Sequence, residues 1–311
     1  MNWALKTDIG RVRKMNQDSL AALGSEALQD RAGGLFVLAD GMGGRVGGEI
    51  ASRLAVDAVK DTTPRHLLSN DRASTREGLG DAVHAALLAA NTAVWQQGRN
   101  DRTLKGMGTT CVMALVRDDL AAIGNAGDSR VYMLRDSKLI LLTHDHVLLH
   151  NASSGEQGPS ATPHNRFHNT ITRAIGFGAA LEPDVTLLQL REGDVLLLCS
   201  DGLTNTMTEG EIARVLIENA DPQNACDRLV DAANNNGGVD NISVIVMRYG
   251  DVRMSESPAA MKRQSTAPDF LRPAAEHLPV AKRSHYLWWI VGSLAATLLA
   301  GVAFMLYHHR F

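Results

Sequence analysis

The sequence has few cysteines, the residues whose disulfide bonds stabilise small secreted domains. It contains three cysteines, Cys111, Cys199 and Cys226, an odd number at wide spacings. The first two lie in apolar, strand-like runs, where a cysteine usually serves as a small core residue. This pattern excludes a disulfide framework and is typical of a protein in a reducing compartment.

A strong charge of one sign and an export signal are also missing. The formal net charge is −3, so the composition does not indicate a nucleic-acid-binding surface. The segment from Met1 to Gly10 contains no apolar run, and we therefore expect no signal peptide. The glycine-rich stretch at 41–48 lacks both the G-x-G-x-x-G spacing and a Gly-Lys-Ser/Thr ending, which disfavours a nucleotide-binding loop.

Apolar residues are abundant and make up 45% of the 311 residues, enough for a sizeable core. Short apolar runs predict strands at 19–23, 35–39, 110–116, 121–125, 130–134, 139–143, 185–190, 195–199 and 242–247. Helical patterns are found at 49–59, about 76–97, 209–218 and 222–235. Because the strands cluster and the helices are grouped elsewhere, the sequence favours an α+β fold in one domain, residues 1–250.

The character of the chain changes after residue 250. Residues 251–284 carry four prolines and scattered charges, which predicts a flexible linker. Residues 287–307 carry no charge, and as a helix rising about 1.5 Å per residue they would span about 30 Å, the hydrocarbon thickness of a bilayer. With aromatic residues at both ends of the run, we predict a transmembrane helix at 285–309 rather than a buried core helix.

An irregular polar stretch at 147–168 is long for a passive loop, and we predict a mobile flap there. Five histidines fall in or beside it, at His144, His146, His150, His164 and His168. Their spacing does not sit on a clear helix and no cysteine joins them, so solvated histidines are favoured over a zinc site.

The most informative stretch is an apolar run at 35–39 that ends on Asp40 and Gly41. A carboxylate at the end of a buried strand is held rigidly, and glycine allows a ligand to approach the backbone closely. A carboxylate oxygen beside a carbonyl oxygen suits a hard cation such as Mg²⁺ or Mn²⁺. Asp-Gly is also an ordinary turn pair, which is the alternative interpretation.

The same design recurs elsewhere in the chain. Asp201 follows the run at 195–199 and precedes a glycine, Asp240 lies just before the run at 242–247, and Asp128 lies between two predicted strands. Four carboxylates at strand ends could converge on one edge of a sheet. Near the N-terminus, residues 11–18 add cations and a further carboxylate before a strand.

Eight segments combine these features in a fixed order. They are Arg13-x-x-Asn16-Gln17-Asp18, Asp40-Gly41-Met42-Gly43-Gly44, Gly108-Thr109-Thr110, Gly127-Asp128-Ser129-Arg130, Leu142-Thr143-x-Asp145-His146, Ile171-Thr172-Arg173-Ala174-Ile175-Gly176, Ser200-Asp201-Gly202-Leu203 and Asp240-Asn241-Ile242-Ser243. Together they resemble the bacterial form of the PP2C class of metal-dependent serine/threonine protein phosphatases. The resemblance implies a four-layer α-β-β-α sandwich with two antiparallel sheets.

The resemblance also implies two bound Mn²⁺ or Mg²⁺ ions and a weak third. The metal ligands carried over by position are Asp18, Asp40, Gly41, Asp128, Asp201 and Asp240. Asp40 would bridge the first two ions, and Asp128 with Asp201 would serve the third. A hydroxide between the two ions would attack phosphorus while Arg13 holds the phosphate and offsets its charge.

Two positions depart from the family pattern. Many bacterial relatives have a histidine where this chain has Arg45, and arginine cannot act as the proton donor. Either a metal-bound water supplies the proton, or Arg45 assists substrate binding. Many relatives also have an acid where this chain has Asn205, so the third ion should bind less tightly.

The sequence therefore predicts a phosphatase for phosphoserine and phosphothreonine in proteins, opposing Ser/Thr kinases. A binding adaptor with a phosphatase fold and a phosphatase for small phosphoesters are the alternatives. Basic residues precede the apolar helix, so we expect a single-pass protein of the inner membrane with its catalytic domain in the cytoplasm. Its expected partners are phosphoproteins, a kinase and the lipid bilayer, but not nucleic acid.

Overall fold

The computed structural model describes residues 1–28, 33–69, 75–148 and 170–250. The predicted linker, the predicted transmembrane helix and nearly all of the predicted flap lie outside these ranges. Within the described ranges, no helix is long and apolar enough to cross a membrane.

The strands are β1 (Asn2–Asp8), β2 (Asp18–Leu23), β3 (Gly33–Met42), β4 (Gly108–Thr109), β5 (Cys111–Arg117), β6 (Leu120–Ala126), β7 (Arg130–Arg135), β8 (Lys138–Leu141), β9 (Val147–Leu148), β10 (Thr170–Ile171), β11 (Asp184–Gln189), β12 (Val195–Cys199) and β13 (Ile242–Arg248). The helices are α1 (Ser25–Leu28), α2 (Gly44–Ser69), α3 (Arg76–Asn100), α4 (Asp201–Thr204), α5 (Glu209–Glu218) and α6 (Pro222–Asn235), with a 3₁₀ turn at Arg102–Leu104.

Two large antiparallel sheets form the centre of the domain. One has the strand order β1-β13-β12-β7-β8 and the other β11-β6-β5-β3-β2. Strand β4 pairs with the end of β3, and β9 pairs with β10 where the predicted flap begins and ends. The α+β class with two antiparallel sheets is thus confirmed.

Three apolar clusters show how the layers stack. Leu35 and Val37 of β3 pack with residues of α2 and α3, whereas the alternate residues Phe36 and Leu38 pack with β7, β12 and β13 of the opposite sheet. On the other side, Leu197 of β12 packs with α5 and α6. Because successive side chains point to opposite faces of a strand, strands covered on both faces must be apolar throughout. This explains the continuous apolar runs and gives four layers, as predicted.

Helix α2 is longer than the periodicity indicated. It begins at Gly44 instead of residue 49, and it continues past residue 59 to Ser69 with Pro64 inside it. The second half of the glycine-rich stretch at 41–48 therefore forms the first helical turn. A Cβ atom on Gly41 would lie 2.1 Å from the carbonyl oxygen of Gly48, so these glycines let the helix begin directly against β3.

Strand β1 was not predicted, because it has no apolar run. It nevertheless pairs along its whole length with β13, from Asn2 opposite Arg248 to Asp8 opposite Ile242. As an edge strand with most residues partly exposed, it needs few apolar side chains. The strands predicted at 130–134 and 139–143 correspond to β7 and β8, which form a hairpin with positive φ at Asp136 and Ser137 as in a type I′ turn. Cys111 and Cys199 are buried, as predicted, and Cys226 is buried as well.

Candidate metal centre

Asp40 is fixed within a strand and not at its end, which corrects the prediction. Strand β3 continues to Met42. It pairs with β2 as far as Asp40 and with β5 as far as Leu38, and from Gly41 it pairs with β4. The backbone N–H of Asp40 donates to Thr110 Oγ1 (2.9 Å), and Thr109 Oγ1 donates to the Asp40 carbonyl (2.8 Å). The Gly-Thr-Thr segment therefore holds the backbone of Asp40 from both sides.

Asp18 lies beside Asp40, because it opens β2 and stands opposite Asp40 in the register of β2 and β3. Its Oδ2 accepts a hydrogen bond from Ser200 Oγ (2.9 Å). Ser200 Oγ also accepts from the backbone N–H of Ser243 (3.0 Å). Asp18 belongs to one sheet and Ser200 to the end of a strand in the other, so this hydroxyl joins the two sheets below the centre.

Asp201 and Asp240 come from the five-stranded sheet. Asp201 follows β12, as predicted, and is the first residue of the short helix α4. Asp240 precedes β13, the antiparallel neighbour of β12. Since the end of one antiparallel strand lies beside the start of the next, this topology brings the two carboxylates to the same edge.

Asp128 is positioned by a network that the sequence did not reveal. The backbone N–H of Gly127 donates to the ring Nδ1 of His146 (3.1 Å), and the backbone N–H of His146 donates to the Gly127 carbonyl (3.0 Å). Nε2 of the ring then donates to Asp184 Oδ2 (3.1 Å), whose Oδ1 accepts from Arg173 (2.7 Å). The expectation that the histidines near the flap are solvated is wrong for His146, which is buried because its ring holds the Asp128 turn.

Arg130 of the Gly-Asp-Ser-Arg segment has a structural role. Its Nε and Nη2 donate to the two oxygens of Asp145 at 2.9 and 2.7 Å, a bidentate pair. This pair links the Gly-Asp-Ser-Arg segment to the Leu-Thr-x-Asp-His segment, and neither Arg130 nor Asp145 lines the cavity described next.

The remaining groups surround a cavity of about 380 Å³. It is lined by Arg13, Gln17, Asp40, Gly41, Met42, Gly43, Thr110, Asp128, Ile171, Asp201, Asp240 and Asn241. Five of the six predicted metal ligands and Arg13 therefore meet at one place, with Asp18 beside them. Arg45 is the second residue of α2, and its side chain lies outside what the structure describes.

Arg13 reaches the cavity from the loop between β1 and β2. Its Nη2 donates to Asp240 Oδ2 at 2.6 Å, and the side chain is 54% exposed. Asn241 fixes the loop, because its Nδ2 donates to the carbonyls of Ile9 and Met15 and its Oδ1 accepts from Gln17 N–H. The position of Asn241 directly after Asp240 is the signal by which this role could have been recognised.

The carboxylates raise one another's pKa values. Burial, followed by the charges of Asp18 and Asp201, holds the pKa of Asp40 well above its usual range. Burial and then Asp128 raise the pKa of Asp201 to about 7, and burial raises that of Asp18 to about 6. Burial followed by Asp145 raises the pKa of Asp128. A carboxylate takes up a proton this readily when no cation compensates its charge.

The donor set fits a hard divalent cation. Asp18 Oδ1 and Asp201 Oδ1 are buried and have no hydrogen-bond partner among the described residues, which leaves oxygen ligands free at the centre. No three His, Cys, Asp or Glu side chains in the described ranges form a ready-made metal cage. An open cavity suits Mg²⁺-like ions, which bind through few carboxylates and retain waters.

Metal removal should make stability depend on pH in an unusual direction. With pKa values near 6 and 7 instead of 3.8, Asp18 and Asp201 keep protons in the native state that the unfolded chain releases. In EDTA we therefore expect the free energy of unfolding to fall as pH rises from about 4 to about 7. Thermal unfolding across this pH range measures the effect.

Asp201→Asn should flatten that pH dependence and raise the melting temperature in EDTA at pH 7.5. The matched control is Asp61→Asn, which removes a carboxylate that is 73% exposed on α2. The charge repulsion described above would be contradicted if the free energy of unfolding rose between pH 4 and 7, and rose equally in the wild type and both variants.

Comparison with known proteins agrees with this site. The model of the family described as protein phosphatase 2C matches residues 11–232. The serine/threonine phosphatase stp of Listeria innocua is 33% identical over 252 residues, covering 79% of this chain and 95% of the relative. The solved structure of the Mycobacterium tuberculosis serine/threonine phosphatase PstP/Ppp is 32% identical, with a TM-score of 0.64 and coverage of 79% and 97%.

A further structure, of the PstP catalytic domain in complex with two manganese ions, gives the same identity and TM-score, with coverage of 79% and 96%. The matched range contains Arg13, Asp18, Asp40, Asp128 and Asp201, and ends shortly before Asp240. The chain belongs to the protein phosphatase 2C family.

Proposed function

We propose that this chain hydrolyses phosphoserine and phosphothreonine esters in proteins at the carboxylate-lined cavity, with Mn²⁺ or Mg²⁺ bound there. The observation that carries the proposal is the meeting of Arg13 with Asp40, Asp128, Asp201 and Asp240 around one space. A relative that aligns over 252 residues is named a serine/threonine phosphatase, and the structure of a similar phosphatase contains two manganese ions. The activity is that of a metal-dependent protein serine/threonine phosphatase.

Some side chains at the cavity would bind the metal ions, and others would bind the substrate. Asp40, Asp201 and Asp240 would hold one ion, and Asp40, the Gly41 carbonyl and the surroundings of Asp18 the other. When bound, such ions lower the pKa of water and offset the charge of a phosphoryl group. The protein contributes a rigid donor set, because Asp40 lies within a strand and its backbone is bonded on both sides.

Arg13 binds the phosphate of the substrate. It is half-exposed at the cavity and bonded to Asp240, so its guanidinium is placed beside the metal ligands and still faces solvent. A guanidinium presents paired N–H donors that match two phosphate oxygens. Arg45, on the first turn of α2, is the second candidate for substrate contact.

The third ion binds weakly, and Asn205 supplies the reason. Its Nδ2 donates to Asp201 Oδ2 at 3.0 Å, where many relatives have an acid. An amide at this position adds no negative charge and uses one oxygen of Asp201. A site shared by Asp128 and Asp201 therefore has less charge with which to hold a cation.

The chain is tethered to the inner face of the membrane by residues 285–309. The uncharged run at 287–307 and the basic residues before it support this placement. The linker at 251–284 would keep the catalytic domain close to membrane-bound phosphoproteins, such as a transmembrane Ser/Thr kinase, and so raise their effective concentration.

Asp40→Asn should lower activity by about 100-fold or more, because the change removes charge from a carboxylate that would hold the metal ions. The measurement is Mn²⁺-dependent phosphate release from a phosphothreonine peptide, repeated in EDTA. Asp57→Asn removes an exposed carboxylate on α2 and is the control. Wild-type turnover in the Asp40 variant at matched Mn²⁺ would refute the metal role.

Arg13→Ala should raise KM for a phosphopeptide about tenfold or more, since a charge-assisted contact to phosphate is lost. The affinity for Mn²⁺, measured by calorimetry, should change little. Arg13→Lys keeps the charge but not the paired donors, so we expect an intermediate KM. Loss of Mn²⁺ binding in the alanine variant would instead assign Arg13 to the support of Asp240.

Ending the chain at residue 250 should give a soluble, active enzyme that dephosphorylates a membrane substrate more slowly in cells. Protease added outside intact cells should leave the catalytic domain of the full-length protein uncut. Digestion of that domain would overturn the orientation, and a full-length protein found wholly in the soluble fraction would overturn the tether.

A further inference from the structure

A second cavity opens beside the catalytic one, between the first turns of α2 and the segment that joins α3 to β4. Its volume is about 590 Å³, within the range of about 300–1,000 Å³ typical of ligand pockets. Val46 and Ile50 form its wall on α2, and Leu104 and Gly106 form the facing wall. We call it the α2 pocket.

The walls of the α2 pocket combine apolar side chains with a few polar ones. Val46 is 52% exposed, and Leu104 is buried at its base. Gly106 has positive φ, and a Cβ atom there would have no heavy atom within 4 Å, so that wall is open. The one acid of the lining, Asp101, accepts from the backbone N–H and hydroxyl of Thr103 and thereby caps the 3₁₀ turn. Thr103 and Lys105 also belong to the lining, and Val46, Ile50 and Leu104 provide the apolar surface that an apolar side chain could contact.

The α2 pocket adjoins the catalytic cavity, because Gly43 lines both. A Cβ atom on Gly43 would lie 2.9 Å from the Cα of Met107, and its φ is +116°, so no other residue fits here without strain. Gly43 is thus the residue that the two cavities share. An extended peptide advances about 3.3 Å per residue and alternates its side chains, so it passes from one cavity to the other within a few residues.

We propose that the α2 pocket receives an apolar side chain of the substrate protein, one to three residues from the phosphorylated serine or threonine. This inference rests on the proposed function and adds a sequence preference to it. The occupant is a segment of the phosphoprotein, because the pocket shares Gly43 with the cavity into which the phosphate must enter. Burial of one aliphatic side chain in such a pocket changes kcat/KM about tenfold.

The test uses the full-length chain with Mn²⁺ and three substrates. These are a small aryl phosphate, a phosphothreonine peptide with leucine at the neighbouring positions, and the same peptide with glutamine there. We expect the wild type to prefer the leucine peptide about tenfold in kcat/KM. Val46→Asp should remove this preference, with about tenfold more loss on the leucine peptide than on the aryl phosphate.

The carboxylate introduced by Val46→Asp would lie in the first turn of α2, where a negative charge is compatible with the helix dipole, so the variant is expected to fold. Val46→Leu keeps an apolar wall and should keep the preference. Ile217→Asp is the matched control, because Ile217 is 51% exposed on α5 and outside both cavities. We expect this control to behave as the wild type, with thermal unfolding as the check on folding.

Several outcomes would overturn the inference. Equal turnover of the two peptides by the wild type, or an equal loss on all three substrates in Val46→Asp, would remove the α2 pocket from substrate selection. A wild-type dimer that Val46→Asp converts to a monomer without changing the peptide preference would assign the pocket to a second copy. Hydrolysis of the aryl phosphate but of neither peptide would overturn the proposed function itself.

Discussion

The central constraint on this structure is the repulsion between carboxylates that the fold holds close together where the two sheets meet. Asp18 and Asp40 come from one sheet, and Asp201 and Asp240 from the ends of strands in the other. Burial raises the pKa values of Asp18, Asp40 and Asp201, and the neighbouring carboxylates raise them further. The packed layers supply the rigidity that keeps like charges close, and divalent cations offset the repulsion when they bind. Stability and catalysis therefore depend on the same few oxygens.

Much of the fold could be predicted, because burial on two faces leaves a clear pattern. The run at 195–199 agrees with β12 residue for residue, since both of its faces are covered by protein. The carboxylates could be found because each follows or precedes such a run, where chain direction alone places it at an edge. Strand β1 escaped prediction because an edge strand needs only main-chain pairing, which its neighbour β13 provides.

The supporting polar groups could not be found in this way. Ser200 bonds to Asp18 across 182 positions of sequence, and a serine before an aspartate has many possible roles. The sequence groups His146 with solvated flap residues because nothing near it in sequence indicates Gly127 or Asp184 as its partners. Partners of this kind are set by the packing of distant strands. These hydrogen-bond partners can therefore be identified only when the fold is known.

The hydroxyl of Ser200 links the two sheets below the carboxylates, because it donates to Asp18 of one sheet and accepts from Ser243 of the other. Ions held above it would link the same two halves, so metal supply would govern the lifetime of the protein as well as its rate. A chain made under metal starvation would unfold more often and meet the proteases of the cell in that state. Phosphorylation of its targets would then persist after metal returns, until new enzyme had been synthesised.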